Sequence, residues 1–372
     1  MTNNIPKTTA PILTKPPITT PLFPTPILTS RILVIGAFSP DPTIYTYATS
    51  FYQALQKLSS QPVTLFNYRQ SYLPKILPYR LRKPLNQYIM NCKLLAQAQE
   101  LQPELIFIIK GELLFPWTLQ KLKNLGAKVV NFYPDNPFAV WNGNSNANVL
   151  QALPIYDCFL FWAPDFFPAL HAAGCQHTCF FPFAFDPDII TPTTRQSTPD
   201  LASDVCFIGT WEPERERQLT ELIQQLPKLD LAIWGNLWQE KTTYAPLKKH
   251  IRGKAIYGAN MQQAMRSAKI TLNFIRQQNM GAHNMRSIEA PAAGAFLLTE
   301  RTHQQAQELF TEDVSIACFS GTDELVAKIK FYLQDEKTRY RIAQQGQHHV
   351  QQYGLPEQLR TYFITCHLFA HR

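Results

Sequence analysis

The sequence lacks any apolar run that approaches the roughly 20 residues needed for a membrane-spanning helix. Its first thirty residues are rich in Pro and Thr, and prolines interrupt their apolar residues too often to form the core of a signal peptide. We therefore expect no transmembrane segment and no secretory leader. The composition of residues 1–30 predicts a disordered tail.

The seven cysteines form no CxxC pair. Cys175 and Cys179 are the closest two, and no matching cluster of metal ligands follows them. Scattered cysteines in an odd number are more typical of a reduced compartment than of a disulfide framework. We therefore expect a cytoplasmic protein without a metal site.

Acidic residues are missing from residues 68–93, although the whole chain carries 27 of them. The stretch is rich in Tyr, Leu and Ile and predicts a basic, partly apolar surface that suits anionic lipid headgroups, a phosphate-bearing acceptor or nucleic acid. An ordinary solvated loop and helix face has the same composition. Because no nucleic-acid recognition motif is present, we expect no nucleic-acid partner, and peripheral membrane contact stays open. The basic residues are Arg69, Lys75, Arg80, Arg82, Lys83 and Lys93.

The length of 372 residues exceeds what one ordinary core supports and predicts two domains. In residues 31–185, short apolar segments alternate with helical ones, which predicts a parallel sheet flanked by helices. The predicted strands are RILVIGAF, PVTLFNY, ELIFIIKG, AKVVNFY and YDCFLFW.

Residues 186–202 are rich in Pro, Thr, Ser and Asp, which predicts a linker. Residues 203–353 then repeat the alternation and predict a second α/β domain, and residues 354–372 predict a helix that packs back across the domain boundary. Two open parallel sheets place a ligand in the cleft between the carboxyl ends of their strands. The second set of strands is DVCFIGT, LAIWG, ITLNFI, AFLLT and VSIACF, with helices beginning near Pro213, Asn260, Asn284, Thr302 and Thr322.

Arg286 and Glu289 stand three residues apart in a predicted helix whose next turn holds Pro291 and small residues. Small residues leave room for a bulky polar ligand against the helix start. Asn284 is the expected N-cap, and a helix N-terminus favours an anion. The same spacing is also typical of a helical surface pair worth roughly 0.2 to 0.5 kcal/mol.

Several segments carry a family resemblance. Those of the second half resemble the nucleotide-sugar domain of GT-B glycosyltransferases, and among these the CgeB-like group of spore-maturation proteins. In the first half, NFYPDNP is similar to an aspartate-containing strand end of the same proteins. The segments of the second half are DVCFIGTWEPERERQLTEL, LAIWG, ITLNFIRQQNMGAHNMRSIEAPAAGAFLLTE and YLQDEKTRYRIAQQGQHHVQQYG.

The resemblance implies a sugar-nucleotide site in the second domain. Glu289 would bind the ribose hydroxyls, the helix start at Asn284 would receive the diphosphate, and Arg286 would add a forked contact to phosphate oxygens. Arg215, in preference to Arg217, would neutralise the leaving diphosphate. The remaining candidates are Gly209, for close backbone approach; Gly235 and Tyr257, around the nucleobase; and Asn273, Arg276 and His283, facing the cleft.

One acid of a larger pattern is missing. Many retaining GT-B enzymes carry a second glutamate eight positions before the ribose-binding one, and here that position is Gly281. An inverting route needs a base near the acceptor. Asp135 in NFYPDNP, or His283, is the candidate, although an Asp before Asn-Pro is equally typical of a simple turn.

The sequence thus predicts a metal-independent GT-B glycosyltransferase that has two Rossmann-like domains facing across a cleft and needs no cofactor beyond its donor. It would move a sugar from a nucleoside-diphosphate sugar to the hydroxyl of a glycan, lipid-linked or protein acceptor. The main alternative is a non-catalytic nucleotide-sugar-binding homologue of the same shape. A third possibility is a nucleotide-sugar epimerase or a phosphorylase; a phosphorylase that uses pyridoxal phosphate would need a far longer chain.

Overall fold

The computed structural model describes residues 27–39, 41, 46–74, 76–139, 146–190, 198–279 and 281–365. Most of the expected N-terminal tail, part of the expected linker and the end of the expected last helix lie outside these ranges, as does Lys75 of the basic stretch. None of the helices within them is long and apolar enough to cross a membrane.

Six parallel strands form the sheet of the first domain, in the order β2-β1-β3-β4-β5-β6. Every residue of β1 and β3 is buried, as expected for strands that are covered by helices on both faces. The strands are β1 Ile32–Gly36, β2 Val63–Asn67, β3 Leu105–Ile109, β4 Lys128–Phe132, β5 Cys158–Phe161 and β6 Thr178–Phe180. The helices are α1 Tyr47–Leu58, α2 Tyr79–Leu101, α3 Pro116–Lys123, α4 Ala147–Ala152 and α5 Phe167–Ala172.

The second domain has its own six-stranded parallel sheet, in the order β12-β11-β10-β7-β8-β9. Its strands are β7 Ser203–Ile208, β8 Leu231–Trp234, β9 Ile251–Gly253, β10 Ala268–Asn273, β11 Leu297–Glu300 and β12 Ala317–Phe319. Its helices are α6 Pro213–Gln225, α7 Trp238–Lys241, α8 Ala245–Lys248, α9 Gly258–Ser267, α10 Met285–Ala292, α11 Gly321–Gln334 and α12 Glu336–Val350, followed by α13 Leu355–Thr365; Gln304–Leu309 is π-helical.

The strand order reverses once in each sheet, between β1 and β3 in the first and between β7 and β10 in the second. At such a point the chain connections leave in opposite directions, and a crevice opens at the carboxyl ends of the strands. The two sheets therefore confirm the predicted pair of Rossmann-like domains and fix where a ligand is expected.

The last helix crosses back to the first domain, as the sequence predicts. Phe185 lies after β6, and its backbone N–H donates to the carbonyl of Tyr353 at 3.1 Å, while the N–H of Leu355 donates to the carbonyl of Phe185 at 2.9 Å. From there α13 packs against α1 and buries Leu359 completely. One apolar core consequently runs through both domains.

Two short strands, β6 and β9, are not predicted by the sequence. The segment AIYG predicts a strand that ends at Gly258, but β9 ends at Gly253, before this segment, and Gly258 is the first residue of α9. Gly258 adopts a φ of +54°, a left-handed conformation that favours glycine. It therefore serves a helix start where the sequence predicted a strand end.

Candidate functional site

A cleft of about 680 Å³ lies between the carboxyl ends of the two sheets. The first domain lines it with the start of α1, at Thr46 and Tyr47, and with the segments that follow β3 and β4, at Lys110 and Asp135. The second domain contributes the ends of β7, β8 and β10 and the starts of α9 and α10. The cleft is thus built where both strand orders reverse.

Three arginines face the cleft from the second domain: Arg215, Arg276 and Arg286. Arg215 is only 8% exposed, its guanidinium lies 5.5 Å from the ring of Phe207, and its Nη1 donates to the carbonyl of Thr210 at 2.9 Å. Burial is the main cause that lowers the pKa of Arg215 to about 10; the positive charges of Arg276 and Arg286 contribute to this lowering, and Glu212 opposes it. This wall of the cleft is therefore positive and poorly solvated.

The carboxylates nearby balance this charge only in part. Glu212 lies behind the wall, 2.8 Å from Nε of Arg276 and 3.5 Å from Nε of Arg215. Glu289 lies in the wall, and its Oε2 accepts from Nη1 of Arg286 at 3.0 Å. The buried Nε of Arg286 has no hydrogen-bond partner among the described residues. The wall thus has hydrogen-bond donors to offer to an anion.

The start of α10 opens onto the same wall. The side chain of Asn284 caps it by accepting from the N–H of Ser287, whose hydroxyl accepts from the N–H of Asn284 in return. This capping leaves the first two helical N–H groups, those of Met285 and Arg286, without an intrahelical acceptor. Both residues line the cleft, so the helix start is an anion-binding position of the expected kind.

Asn273 lines the cleft but acts mainly as a support. Its amide exchanges hydrogen bonds with the amide of Asn284 at 3.1 and 3.0 Å and donates to Thr299 at 2.9 Å. These bonds tie the end of β10 to the start of α10. Asn273 therefore fixes the position of the helix cap.

Gly209 and Gly235 let the strand ends pack closely. A Cβ at Gly235 would lie 1.9 Å from the carbonyl oxygen of Gly209, and a Cβ at Gly209 would lie 2.9 Å from the ring of Phe207. The sequence predicts that Gly209 allows close approach of a ligand. In the structure, the two glycines also allow the backbone at the end of β8 to lie close to the backbone at the end of β7. Tyr257 lies in the cleft lining with 66% of its surface exposed, free to cover a flat ligand.

Asp135 faces the cleft from the first domain, and its Oδ2 lies 2.8 Å from Nζ of Lys110. Lys110 has a φ of +67°, which costs a non-glycine residue roughly 1 to 2 kcal/mol, and such strain is often kept at functional sites. Tyr47, half-buried at the start of α1, has a pKa well above the ordinary value because it is shielded from water, and the charges of Glu289 and Asp135 raise this pKa further. Tyr47 therefore stays a hydroxyl donor between the two walls.

Sequence reasoning named neither Lys110 nor Tyr47. The Lys-Gly pair directly after a fully apolar strand is the signal for Lys110. No sequence signal marks Tyr47, because the residues that precede it form no motif.

His283 does not face the cleft, contrary to the prediction. It is fully buried; its Nε2 accepts from the N–H of Phe183 at 3.0 Å, and its Nδ1 lies 2.6 Å from Oε1 of Gln304. Burial lowers the pKa of His283 to about 4. His283 joins the domains, because Phe183 belongs to the first and Gln304 to the second. Since both of its ring nitrogens are occupied, it has no free nitrogen to take a proton from an acceptor hydroxyl.

The structure brings together nine of the ten predicted site residues in the cleft lining. They are Asp135, Gly209, Arg215, Gly235, Tyr257, Asn273, Asn284, Arg286 and Glu289. Across the described ranges, no group of three or more His, Cys, Asp or Glu side chains is placed to hold a metal ion.

Residues 215–361 match a protein family described as glycosyl transferase-like. This match begins at Arg215 and includes the capped start of α10. No curated protein matches the chain.

Solved structures share the whole architecture. HepE from Anabaena, in complex with UDP and glucose, is 14% identical, covers 90% of this chain and 100% of its own, and has a TM-score of 0.59. An E. coli structure described as trehalose-6-phosphate bound with UDP-2-fluoro glucose is 13% identical over 90% and 98% of the two chains, with a TM-score of 0.60. A putative UDP-N-acetylglucosamine 2-epimerase from Listeria monocytogenes is 12% identical over 91% and 96%, with a TM-score of 0.53.

Likeness at such low identity establishes a shared fold, on which different activities occur. The matches extend over about nine-tenths of this chain, so the shared fold includes both of its six-stranded sheets. The chain has the GT-B fold, and its second domain carries the sequence pattern of the glycosyl transferase-like family.

Proposed function

We propose that the protein is a metal-independent glycosyltransferase of the CgeB-like group, which moves a sugar from a nucleoside-diphosphate sugar to an acceptor hydroxyl. One observation carries this proposal. Three arginines and the capped start of α10 converge on one wall of the cleft, and Glu289 lies one turn further along the same helix. In a nucleoside diphosphate the ribose is bonded directly to the diphosphate, and this wall offers hydrogen-bond donors to the diphosphate and an acceptor to the ribose hydroxyls.

In the proposed donor complex, the diphosphate lies against the N–H groups of Met285 and Arg286. The side chain of Arg286 turns its free Nε towards a phosphate oxygen, and Glu289 accepts from the ribose hydroxyls. The nucleobase extends towards Gly235 and is covered by Tyr257. The UDP in the HepE complex and the UDP-sugar in the E. coli structure support a uridine nucleotide.

Arg215 has the main role in the transfer step. As the bond between the sugar and the diphosphate breaks, negative charge grows on the departing phosphate, and a preorganised cation in a dry site stabilises it most. The burial of Arg215 and its fixed bond to Thr210 make it such a cation.

The acceptor binds against the first domain, where Asp135 takes the proton of its hydroxyl. Lys110 holds this carboxylate in place, and Tyr47 supplies a hydroxyl between the donor and acceptor walls. Closure of the two domains around both substrates excludes water from the activated sugar. The acceptor is a glycan, a lipid-linked molecule or a protein.

A non-catalytic nucleotide-sugar-binding homologue would have the same donor wall, and the glycine at position 281 favours it. Such a homologue would bind the nucleotide sugar without cleaving the bond between the sugar and the diphosphate. An epimerase shares the fold, as the Listeria structure illustrates, but would act on the sugar with no acceptor.

The test measures nucleotide binding and turnover separately. Thermal unfolding in the presence of UDP, GDP, ADP and TDP identifies the base, since a ligand that binds only the folded state raises its stability. Incubation with a panel of radiolabelled sugar nucleotides then detects hydrolysis or transfer. We expect Glu289→Ala to weaken UDP binding by about 10- to 100-fold, because a hydrogen bond to a charged group contributes about 1.5 to 3 kcal/mol.

Glu214→Ala is the matched control, because this exposed glutamate of α6 pairs with Arg217 and does not line the cleft described above. It should bind UDP as the wild type does. Binding without any sugar release from the whole panel would favour the non-catalytic alternative. Unchanged binding in Glu289→Ala would contradict the proposed donor site.

A further inference from the structure

The first two turns of α2 project from the first domain with little cover. Of residues 79–85, six are exposed and only Arg82 is half-buried. Leu81, Leu85 and Tyr88 follow one another at helical spacing and form an apolar stripe, with exposed fractions of 67%, 48% and 55%. Apolar stripes of helices normally face a core, so this one lacks its expected cover among the residues that the structure describes.

The apolar surface extends beyond the helix. Ile76, just before α2, is 89% exposed, and the ring of Tyr88 lies 6.2 Å from that of Trp117 at the start of α3. Six of the fifteen large apolar side chains that are exposed in the described ranges gather here, although the region is a small part of the chain. They are Ile76, Tyr79, Leu81, Leu85, Tyr88 and Trp117.

Positive charges alternate with these side chains. Lys121 lies over the ring of Trp117 at 5.3 Å, and Lys93 lies over the ring of Tyr72 at 5.2 Å. Glu112, the carboxylate that contacts the start of this stretch, is already bound to Arg69 and to the hydroxyl of Tyr68. The basic residues Arg80, Arg82 and Lys83 therefore have no acidic neighbour within residues 68–93.

The surface lies on the cleft side of the first domain. In a parallel sheet, a helix that follows a strand begins at the edge where the strand ends. Both α2, which follows β2, and α3, which follows β3, therefore begin at the edge of the sheet where Lys110 and Asp135 line the cleft.

We propose that these residues form a docking surface for a bilayer that contains anionic lipid. We define the docking surface as Ile76, Tyr79, Arg80, Leu81, Arg82, Lys83, Leu85, Tyr88, Trp117 and Lys121. Arginine and lysine bind anionic headgroups, exposed leucines enter the acyl boundary, and Tyr and Trp favour the interface between them. The combination supplies the two signals, apolar and electrostatic, that stable membrane attachment needs.

Protein partners fit this surface less well. The core of a protein interface is depleted in lysine, whereas here basic residues stand between the leucines along the helix. A symmetric contact with a second copy would also bring two positive surfaces together.

Docking places the cleft edge of the first domain against the lipid. If the protein transfers sugars as proposed above, the acceptor then carries a lipid anchor and enters the cleft from the membrane. This consequence rests on the proposed function, whereas the docking itself does not.

The experiment is sedimentation of the full chain with vesicles of phosphatidylcholine alone and with roughly a third phosphatidylglycerol, a composition that gives a negative surface. We expect binding only to the anionic vesicles, and its loss at about 1 M salt, where the Debye length falls to about 3 Å. Replacing Arg80, Arg82 and Lys83 together by glutamine should weaken binding about 100-fold, at about fivefold for each charge. Leu81→Ser with Leu85→Ser should weaken it independently of salt.

The matched control replaces Lys241, Lys248 and Lys249 by glutamine, which removes three exposed charges from the second domain. It should bind vesicles as the wild type does. Equal binding to both kinds of vesicle, or wild-type binding by the triple glutamine variant, overturns the proposal. The proposal is also overturned if the wild-type protein binds no vesicles but self-associates, and the Leu81→Ser, Leu85→Ser variant loses this self-association. UDP binding by each variant is measured in parallel, so that failure of the donor site is distinguished from failure of docking.

Discussion

Arg215 holds its positive charge in a site that is almost sealed from water. A buried charge must be stabilised by partners, yet here two further arginines lie close by. Burial, together with these positive charges, lowers the pKa of Arg215 to about 10. An arginine held in this way is unfavourable for the unliganded fold and becomes favourable when an anion arrives. The residue thus links stability to function through its charge.

Replacing Arg215 by methionine should therefore separate the two properties. A buried charge exchanged for an apolar chain of similar length is often neutral or stabilising, so we expect an unchanged or higher melting temperature. Turnover should fall by about 100- to 1000-fold, which is typical for the loss of one donor that stabilises transition-state charge. Thermal unfolding and the rate of sugar release measure the two effects.

Arg217→Met is the control for this prediction. Arg217 lies two residues further along α6, is 56% exposed, and pairs with Glu214 and Glu221 outside the cleft. It should lose little activity. A stable, fully active Arg215→Met protein would show that another group neutralises the leaving diphosphate.

Single residues were predictable where their role depends on local sequence. Asn284 was recognisable as a cap because capping needs only a suitable side chain before a helix. The direction of His283 was not, since the ring turns towards Phe183 and Gln304, which are distant in sequence. Tyr47 was missed for the same reason, because the two carboxylates that act on it, Glu289 and Asp135, are distant from it in sequence.

Among the elements, the ends of β7 and β8 depend on glycine. A Cβ at Gly235 would overlap the carbonyl oxygen of Gly209, and that atom is backbone and cannot turn aside. We expect Gly235→Ala to cost about 1 to 3 kcal/mol of unfolding free energy, as overpacking usually does, and to weaken nucleotide binding because both strand ends line the cleft. Urea unfolding and UDP titration test this.

Gly253→Ala provides the comparison, since its Cβ would meet the Trp234 ring at 3.6 Å, an ordinary contact distance. It ends the neighbouring strand β9, so both variants change the same sheet. Gly253→Ala should change stability and binding little. Equal losses in the two variants would mean that the contact with Gly209 is not what requires a glycine at position 235.

Strands of four or more residues were predictable, whereas two of the three described strands with only three residues, β6 and β9, were not. β1 and β3 are continuous runs of buried residues, which few other structures produce. β6 and β9 have three residues each and are held by pairing with β5 and β8. Such short segments show no recognisable periodicity of apolar residues in the sequence. Pairing partners are a property of the folded sheet, which explains why the sequence did not indicate these two strands.

At the scale of the whole molecule, a buried joint connects the domains behind the cleft. His283 and Gln304 of the second domain meet Trp162 and Phe183 of the first: Gln304 donates to the carbonyl of Trp162 at 3.2 Å, and both aromatic rings pack against the imidazole. The neutral imidazole with its proton on Nδ1 satisfies every partner, since Nε2 then accepts from Phe183 and Nδ1 donates to Gln304. A second proton would place an N–H against the N–H of Phe183.

This joint makes stability depend on pH in a defined window. The unfolded imidazole takes up a proton near pH 6.5, whereas burial holds the pKa of His283 at about 4, so between these values the unfolded state binds more protons. The stabilisation that the neutral His283 gives to the folded state is therefore complete above about pH 6.5. It is smaller by about 2 kcal/mol of unfolding free energy at pH 5 and is lost below about pH 4. Urea unfolding at pH 7 and pH 5 should show this loss.

In His283→Gln, the difference in unfolding free energy between the two pH values should shrink by about 2 kcal/mol, whatever the absolute stability of the variant. His348→Gln, which changes an exposed histidine of α12, should keep the wild-type difference. The comparison is between slopes, so a general loss of packing at position 283 does not imitate the result. If both variants keep the wild-type difference, the buried imidazole is not the group that couples the domain joint to pH.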